Sequence, residues 1–224
     1  MSVTDKLLEL DPTLKRYNEG DWAGEYKENG GFSSFNDAGI ECEVGEFLYS
    51  LIRLLKPDHV LETGTHIGVG AAYLCSALKE NNKGYLDTIE FIPILFEQAA
   101  ARMRRMGFSP QYVTNKFMDV KDYEPQHNYD LILLDTEPQT RFAELVKFER
   151  FLNPGGYVFI HDLHRHMGQV PNSEHGYAWP WGEIPTQMND LVRLGKLRPF
   201  YFTNPRGLTG FYKPHQDDYE WKTK

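Results

Sequence analysis

Hydrophobic positions along the chain follow two alternating spacings. Between Ile40 and Leu55 the apolar residues recur at the spacing of a helix, and Lys56-Pro57 ends that pattern. From His59 onward, short strand-like runs alternate with helical stretches. The strand-like runs are HVLET, YLDTIE, QYVTNKF, YDLILLD and GYVFIHD, and the helical stretches are Ala71 to Glu80, Ile94 to Met106 and Phe142 to Leu152. This order predicts parallel strands joined by right-handed helical crossovers.

The end of the chain departs from this alternation. Two strand-like runs, LRPFYFTNP and GLTGFYKP, are joined by the turn residues Asn204 to Gly207, which predicts a terminal antiparallel hairpin. We therefore predict a doubly wound, Rossmann-like α/β fold with a mostly parallel seven-stranded sheet and helices on both faces. The predicted domain spans residues 40–224. Residues 1–39 form a lead-in that contains a candidate substrate lid at Gly30-Gly31-Phe32-Ser33-Ser34.

Composition and charge narrow the function classes. The formal net charge of −8 argues against a nucleic-acid-binding face, which needs clustered Lys and Arg. The sequence contains no apolar run of about 18 residues that would span a bilayer, and its start lacks the pattern of a secretory signal. We therefore expect a cytoplasmic protein with no membrane partner.

Cys42 and Cys75 lack CxxC or zinc-ligand neighbours, so reduced, buried thiols are expected.

A glycine loop follows the first strand of the alternation. Its spacing, G-x-x-x-G-x-G from Gly64, differs from the dinucleotide fingerprint G-x-G-x-x-G and disfavours a pyrophosphate cofactor. Glu62 precedes the loop, where it would repel phosphate and favour a cationic ligand. Glu90 ends the second strand, where an acid can accept hydrogen bonds from ribose hydroxyls. The alternatives are a helix-dipole partner for Glu62 and an exposed strand-end charge for Glu90.

These motifs resemble the class I methyltransferases, most closely the catechol O-methyltransferase-like and macrocin O-methyltransferase-like small-molecule branches. The resemblance rests on VLETGTHIG, TIE, YDLILLDT, LNPGGYVFIHD and the terminal hairpin. It implies S-adenosylmethionine as the cofactor. The residues that it assigns to this cofactor are Glu62, Gly64, His66 and Gly68 for the methionine part, Glu90 for the ribose, and Met118 and Asp119 for the adenine. For Asp119, capping of the next helix is the alternative.

Two further acids end the fourth and fifth strands. Asp135 and Asp162 would both face the crevice at the carboxyl ends of the sheet, and a carboxylate pair suits a hard cation such as Mg²⁺. The resemblance adds His161 as a third metal ligand, and imidazole shifts the preference towards Mn²⁺, Fe²⁺ or Zn²⁺. The sequence departs from the catechol-type pattern at Leu163, where that pattern has a metal-binding Asn, and at Pro138, where it has the catalytic Lys.

Histidines follow the fifth strand in the pattern H-x-x-H-x-H. An imidazole there can act as a general base near pH 7, and His164 is our candidate, with Asp135 as a second catalytic residue. Surface histidines without a catalytic role are the alternative. The loop between Met167 and Pro185 carries His175, Tyr177, Trp179 and Trp181. Its length and aromatic residues predict a cover over the acceptor, and the alternatives are a homodimer contact or packing on the sheet edge.

The leading hypothesis is a metal-assisted O-methyltransferase that acts on a small hydroxylated molecule. The metal would bind the acceptor hydroxyl and lower its pKa. The alternative within the class is a metal-free enzyme in which Asp135 orients the acceptor and a histidine takes its proton. Outside the class, the alternatives are a dinucleotide-dependent oxidoreductase and a noncatalytic cofactor-binding module.

Overall fold

The computed structural model describes residues 1–18, 33–35, 39–163, 186–202 and 207–215. These residues fall into two units, Met1–Glu124 and Pro125–Lys224. The described strands include a seven-stranded mixed sheet, so the predicted α/β class and the mostly parallel sheet are confirmed. In the described parts of the chain, no helix combines the length and apolar character needed to cross a bilayer.

The first unit holds three parallel strands in the order β5-β4-β3, with four helices. Its strands are β1 (Tyr17–Asn18), β2 (Ser33–Ser34), β3 (His59–Thr63), β4 (Tyr85–Glu90) and β5 (Val113–Phe117). Its helices are α1 (Val3–Leu10), α2 (Cys42–Leu55), α3 (Val69–Asn81) and α4 (Pro93–Arg105). The short strands β1 and β2 pair with each other in an antiparallel sheet.

Local sequence explains where these helices begin and end. Ser2 starts α1 with a capping box, in which its hydroxyl accepts from the Asp5 N–H and the Asp5 carboxylate accepts from the Ser2 N–H. Pro93 stands in the first turn of α4, where its missing N–H costs nothing. Lys56 ends α2 in the left-handed conformation, and the following Pro57 does not continue a helix.

The second unit holds four strands in the order β6-β7-β9-β8. Its elements are β6 (Tyr129–Leu134), α5 (Arg141–Phe148), β7 (Leu152–His161), α6 (Thr186–Arg193), β8 (Arg198–Phe202) and β9 (Leu208–Tyr212). Strands β6 and β7 are parallel, whereas β9 is antiparallel to both β7 and β8. The predicted terminal hairpin is therefore confirmed.

Strand register brings the polar strand ends together within each unit. In the first unit Glu62 pairs with Thr88 and Thr63 pairs with Ile89, so the glycine loop after β3 starts beside Glu90 at the end of β4. In the second unit Leu134 pairs with Ile160, which places Asp135 next to His161. This is the consequence of parallel pairing, because parallel strands end at the same edge of a sheet.

The structure corrects one element boundary. The predicted helix from Phe142 to Leu152 ends as an α-helix at Phe148, and a 3₁₀ turn, Glu149–Phe151, follows it. Strand β7 then begins at Leu152, earlier than the predicted strand-like run, which starts at Gly156. The β6–β7 register shifts between Tyr129 and Leu131. The Asn-Pro-Gly-Gly segment is thus an irregular start of the strand, in which Gly155 has a φ of 83°.

Candidate active site

The glycine loop connects β3 to α3 through three left-handed residues. Gly64, His66 and Gly68 have φ values of 80°, 50° and 83°, a conformation that favours glycine and that histidine adopts more readily than most residues. The Gly64 and Thr65 N–H groups donate to the Ile89 carbonyl at 3.0 and 3.1 Å, which ties the loop to β4. Gly68, the N-cap residue of α3, offers no side chain to cap the helix, and the N–H groups at such a helix start favour an anionic group.

Glu90 holds the loop and the start of the next segment through its carboxylate. Its Oε2 accepts from the His66 N–H at 2.7 Å, and its Oε1 accepts from the N–H groups of Phe91 and Ile92 at 2.9 and 2.8 Å. Glu90 is 5% exposed, which rules out the exposed strand-end charge weighed from the sequence. A carboxylate has about four lone-pair positions, so these three bonds leave capacity for a ligand hydroxyl.

Glu62 is buried and belongs to a polar chain beneath the loop. The Thr88 hydroxyl donates to Glu62 Oε2 at 2.5 Å, and the Thr65 hydroxyl lies 2.5 Å from that of Thr88. The other carboxylate oxygen approaches the first turn of α3 closely, because a Cβ at Gly70 would lie 2.2 Å from Glu62 Oε1. The helix-dipole role considered from the sequence is consistent with this position.

The residues predicted near adenine lie at the end of β5. The Met118 N–H donates to the Glu90 carbonyl at 3.1 Å. Asp119 caps the 3₁₀ turn Val120–Asp122 by accepting from the Lys121 N–H at 2.9 Å, which is the alternative role considered from the sequence. Sequence reasoning did not single out Phe91, an aromatic side chain that directly follows Glu90 and is 55% exposed.

The three residues predicted to bind metal come together in the second unit. The ligand atoms of Asp135, His161 and Asp162 lie within 4.8 Å of one another. His161 Nδ1 lies 2.9 Å from Asp135 Oδ1 and 3.6 Å from Asp162 Oδ2. His161 is fully buried, whereas the Asp135 side chain is 16% exposed and is the most accessible of the three. Asp162 adopts a left-handed φ of 55° directly after β7.

Arg141, which sequence reasoning missed, lies among these residues. Its Nη2 donates to Asp135 Oδ1 at 3.1 Å, and its Nη1 lies 3.4 Å from Asp162 Oδ2. Its Nε donates to the Thr136 carbonyl at 2.7 Å, and its Nη1 also donates to the His161 carbonyl. The Arg141 side chain is 5% exposed. One guanidinium therefore neutralises charge on both carboxylates.

Arg141 affects how well the predicted metal ligands can bind a divalent cation, because it contacts two of them. Two carboxylates and an imidazole are a suitable donor set for Mn²⁺ or Mg²⁺. However, Arg141 already bonds one oxygen of each carboxylate, and a second cation beside its guanidinium would meet like-charge repulsion. A divalent cation at Asp135, His161 and Asp162, whose ligand atoms are close enough to hold one, would therefore have to share both carboxylates with Arg141.

Several predicted features lie outside the described residues. These are the candidate base His164, the neighbouring His166, the aromatic loop between Met167 and Pro185, and Gly30 to Phe32 of the candidate lid. Ser33 of the lid segment is described, and its backbone N–H and hydroxyl both donate to Glu43, at 3.2 and 3.0 Å.

Cys42 and Cys75 are buried free thiols, as predicted, and burial raises the pKa of each.

About half of the chain is similar to known methyltransferases. Residues 61–163, from β3 to the residue after Asp162, match the family model described as a methyltransferase domain. A relative from Mycobacterium sp. strain JLS, named "Putative O-methyltransferase", is 30% identical over 53% of this chain and 54% of that protein. The chain thus matches about half the length of this curated relative. Residues 61–163 are thus similar to a methyltransferase domain, and the predicted resemblance to class I methyltransferases is confirmed.

Solved structures are similar in fold to this chain. The O-methyltransferase TomG from Streptomyces achromogenes, solved with S-adenosylmethionine, has a TM-score of 0.64, with 18% identity over 95% of this chain and 96% of its own. An O-methyltransferase from Bacillus cereus, solved with S-adenosylhomocysteine, has a TM-score of 0.63, with 16% identity over 80% of this chain and 84% of its own. These likenesses establish the fold.

Proposed function

We propose that this chain is an S-adenosylmethionine-dependent O-methyltransferase that acts on a small hydroxylated molecule. The observation that carries the proposal is the junction of Glu90 with the glycine loop inside the matched methyltransferase domain. There the Glu90 carboxylate and the backbone of the loop are held together by the 2.7 Å bond from the His66 N–H. The names of the relatives, O-methyltransferases in several organisms, support oxygen as the accepting atom.

The cofactor residues supply complementary charge. The glycine loop, with Gly64, His66 and Gly68 in the left-handed conformation, would lie against the methionine part of the cofactor, as the resemblance implies. Glu90 would accept a hydrogen bond from a ribose hydroxyl. The buried negative charge of Glu62 lies next to the first turn of α3 and would favour the cationic amino and sulfonium groups. Met118 and Phe91 offer apolar surface for the adenine.

The acceptor chemistry falls to the second unit. Methyl transfer forms an O–C bond and breaks the S–C bond, so the sulfonium becomes a neutral thioether and the acceptor hydroxyl must lose its proton. Asp135, the most accessible acid of the cluster, would accept the hydrogen bond of that hydroxyl. The proton would pass to the Asp135–His161 pair, whose atoms are 2.9 Å apart, and then to solvent. His164 remains a candidate for the same role.

Arg141 would replace the metal in this scheme. The guanidinium is a permanent cation beside Asp135 and orients that carboxylate. The metal-assisted version predicted from the sequence requires Arg141 to leave both carboxylates. The metal-assisted version is supported by the ligand atoms of Asp135, His161 and Asp162, which lie within 4.8 Å of one another. It predicts that activity requires a divalent metal, whereas the metal-free version predicts that it does not.

The test combines calorimetry with turnover. The full chain is titrated with S-adenosylmethionine and with NAD⁺ after chelation, and then with Mn²⁺ in the presence of the bound cofactor. We expect S-adenosylmethionine to bind, NAD⁺ not to bind, and no Mn²⁺ binding at the acid cluster. Turnover of a catechol probe is followed as S-adenosylhomocysteine release, with Asp135→Asn as the inactive comparison. A folded chain that does not bind S-adenosylmethionine would refute the proposal, and stoichiometric Mn²⁺ binding lost in Asp135→Asn would favour the metal-assisted version.

A further inference from the structure

A buried acid anchors the end of α1 to helix α4. Asp11, the C-cap residue of α1, is fully buried. Its carboxylate accepts from Arg102 Nε at 2.9 Å and from Arg105 Nε and Nη2 at 3.0 and 2.9 Å. Burial raises the pKa of Asp11, but the hydrogen bonds from Arg105, Thr13 and Arg102 outweigh it and hold the pKa well below 3.8. Asp11 is therefore ionised at neutral pH.

Arg102 extends this anchor to the glycine loop. While its Nε bonds Asp11, its Nη1 donates to the carbonyl of Ile67, in the middle of the loop. The peptide that follows Ile67 is also fixed at its other end, because the Gly68 N–H donates to the Thr65 carbonyl at 2.8 Å. Both ends of one loop peptide are thus held, which defines its orientation between the left-handed residues His66 and Gly68.

The loop also lies directly against α4. A Cβ on Gly68 would be 3.1 Å from Cα and Cβ of Ala99 and from Cε of Met103, so the backbone of the loop rests on the same helix that carries Arg102. Arg102 is 7% exposed, and a buried guanidinium needs a compensating acid. Asp11 supplies that charge and orients the guanidinium through the 2.9 Å bond to its Nε.

We propose that Asp11 and Arg102 are positioning residues that hold the Ile67–Gly68 peptide, and with it the glycine loop, in the conformation that binds S-adenosylmethionine. The inference rests on the proposed function. It assigns part of the cofactor affinity to the segment before residue 12, which lies far outside the matched methyltransferase residues 61–163. Arg102 touches the loop backbone and acts through the loop.

The experiment measures cofactor affinity in Arg102→Met, Arg102→Lys and Asp11→Asn by titration calorimetry. We expect the Kd for S-adenosylmethionine to rise on the order of tenfold in Arg102→Met and Asp11→Asn, since each loses charge-assisted hydrogen bonds. Arg102→Lys keeps the charge and restores part of the affinity. With a turnover assay, KM for the cofactor should rise while kcat stays within about twofold, because the acceptor chemistry uses other residues.

Arg104→Met is the matched control, because Arg104 lies on the same helix and is exposed. If Arg102→Met does not fold, Arg105→Met is the milder variant. It keeps Arg102 and removes Arg105, a half-exposed partner of Asp11. Hydrogen exchange at the Gly68 amide reports the loop directly and should accelerate in Asp11→Asn. Unchanged affinity in folded Arg102→Met and Asp11→Asn would overturn this inference alone, whereas a wild-type chain that binds no S-adenosylmethionine would overturn it together with the proposed function.

Discussion

Replacing Arg141 with methionine should cost much more stability than a surface arginine does. The Arg141 side chain is 5% exposed and bonds Asp135 at 3.1 Å, Asp162 at about 3.4 Å and the carbonyl of Thr136 at 2.7 Å. Methionine fills a similar length but leaves two largely buried carboxylates without their cation. Removal of one partner from a buried ion pair costs about 3 to 5 kcal/mol, so we expect a loss in that range at pH 7.

The assay is urea unfolding of wild type and variant, followed by circular dichroism. Arg193→Met is the control, because Arg193 is 71% exposed in its ion pair with Asp190 and its loss should cost about 1 kcal/mol or less. The double variant Asp135→Asn/Arg141→Met should recover part of the loss, since one uncompensated charge is gone. Equal costs for Arg141→Met and Arg193→Met would refute the reasoning. Arg141→Met should also gain Mn²⁺ binding, because the repelling cation is removed.

Three further predictions concern the first unit. Glu90→Gln replaces an acceptor of three backbone N–H groups and should weaken S-adenosylmethionine binding about tenfold or more by calorimetry, while unchanged affinity would exclude a role for the carboxylate. Gly70→Ala places a Cβ 2.2 Å from Glu62 Oε1 and should destabilise the chain by about 1 to 3 kcal/mol, measured as a lower Tm; an unchanged Tm would contradict the contact. The folded-state pKa of Asp11 lies below 3.8, so its stabilisation is complete above that pH and declines below it. The difference in unfolding free energy between wild type and Asp11→Asn should therefore be large at pH 7 and smaller at pH 3, and a constant difference would contradict this assignment.

The alternation of strands and helices was enough to predict the sheet and the positions of the strand-end acids. Parallel pairing brings those ends to one edge, which is why Glu90 lies beside the glycine loop and Asp135 beside His161. The positions of these acids can be read from a short stretch of sequence, because each acid lies at the end of its own strand.

The two arginines were missed because their partners are distant in sequence. Asp11 lies 91 positions before Arg102, and no local pattern links them. Arg141 is the first residue of α5, where the helix dipole disfavours a cation, and this unfavourable position was the one available signal of a nearby acid. Helix α1 was also absent from the prediction, although Ser2 and Asp5 form a recognisable capping box.

The left-handed backbone of Asp162 limits which residues can replace it. At a φ of 55° a side chain with a branched or bulky Cβ is strained, whereas glycine, asparagine and aspartate are tolerated. A library that varies this position should therefore return folded protein mainly for those three residues. Asparagine at position 162 removes the negative charge but keeps the side-chain shape and the backbone conformation. Comparing the activity of the aspartate, asparagine and glycine variants would therefore separate the need for a carboxylate from the need for a left-handed backbone.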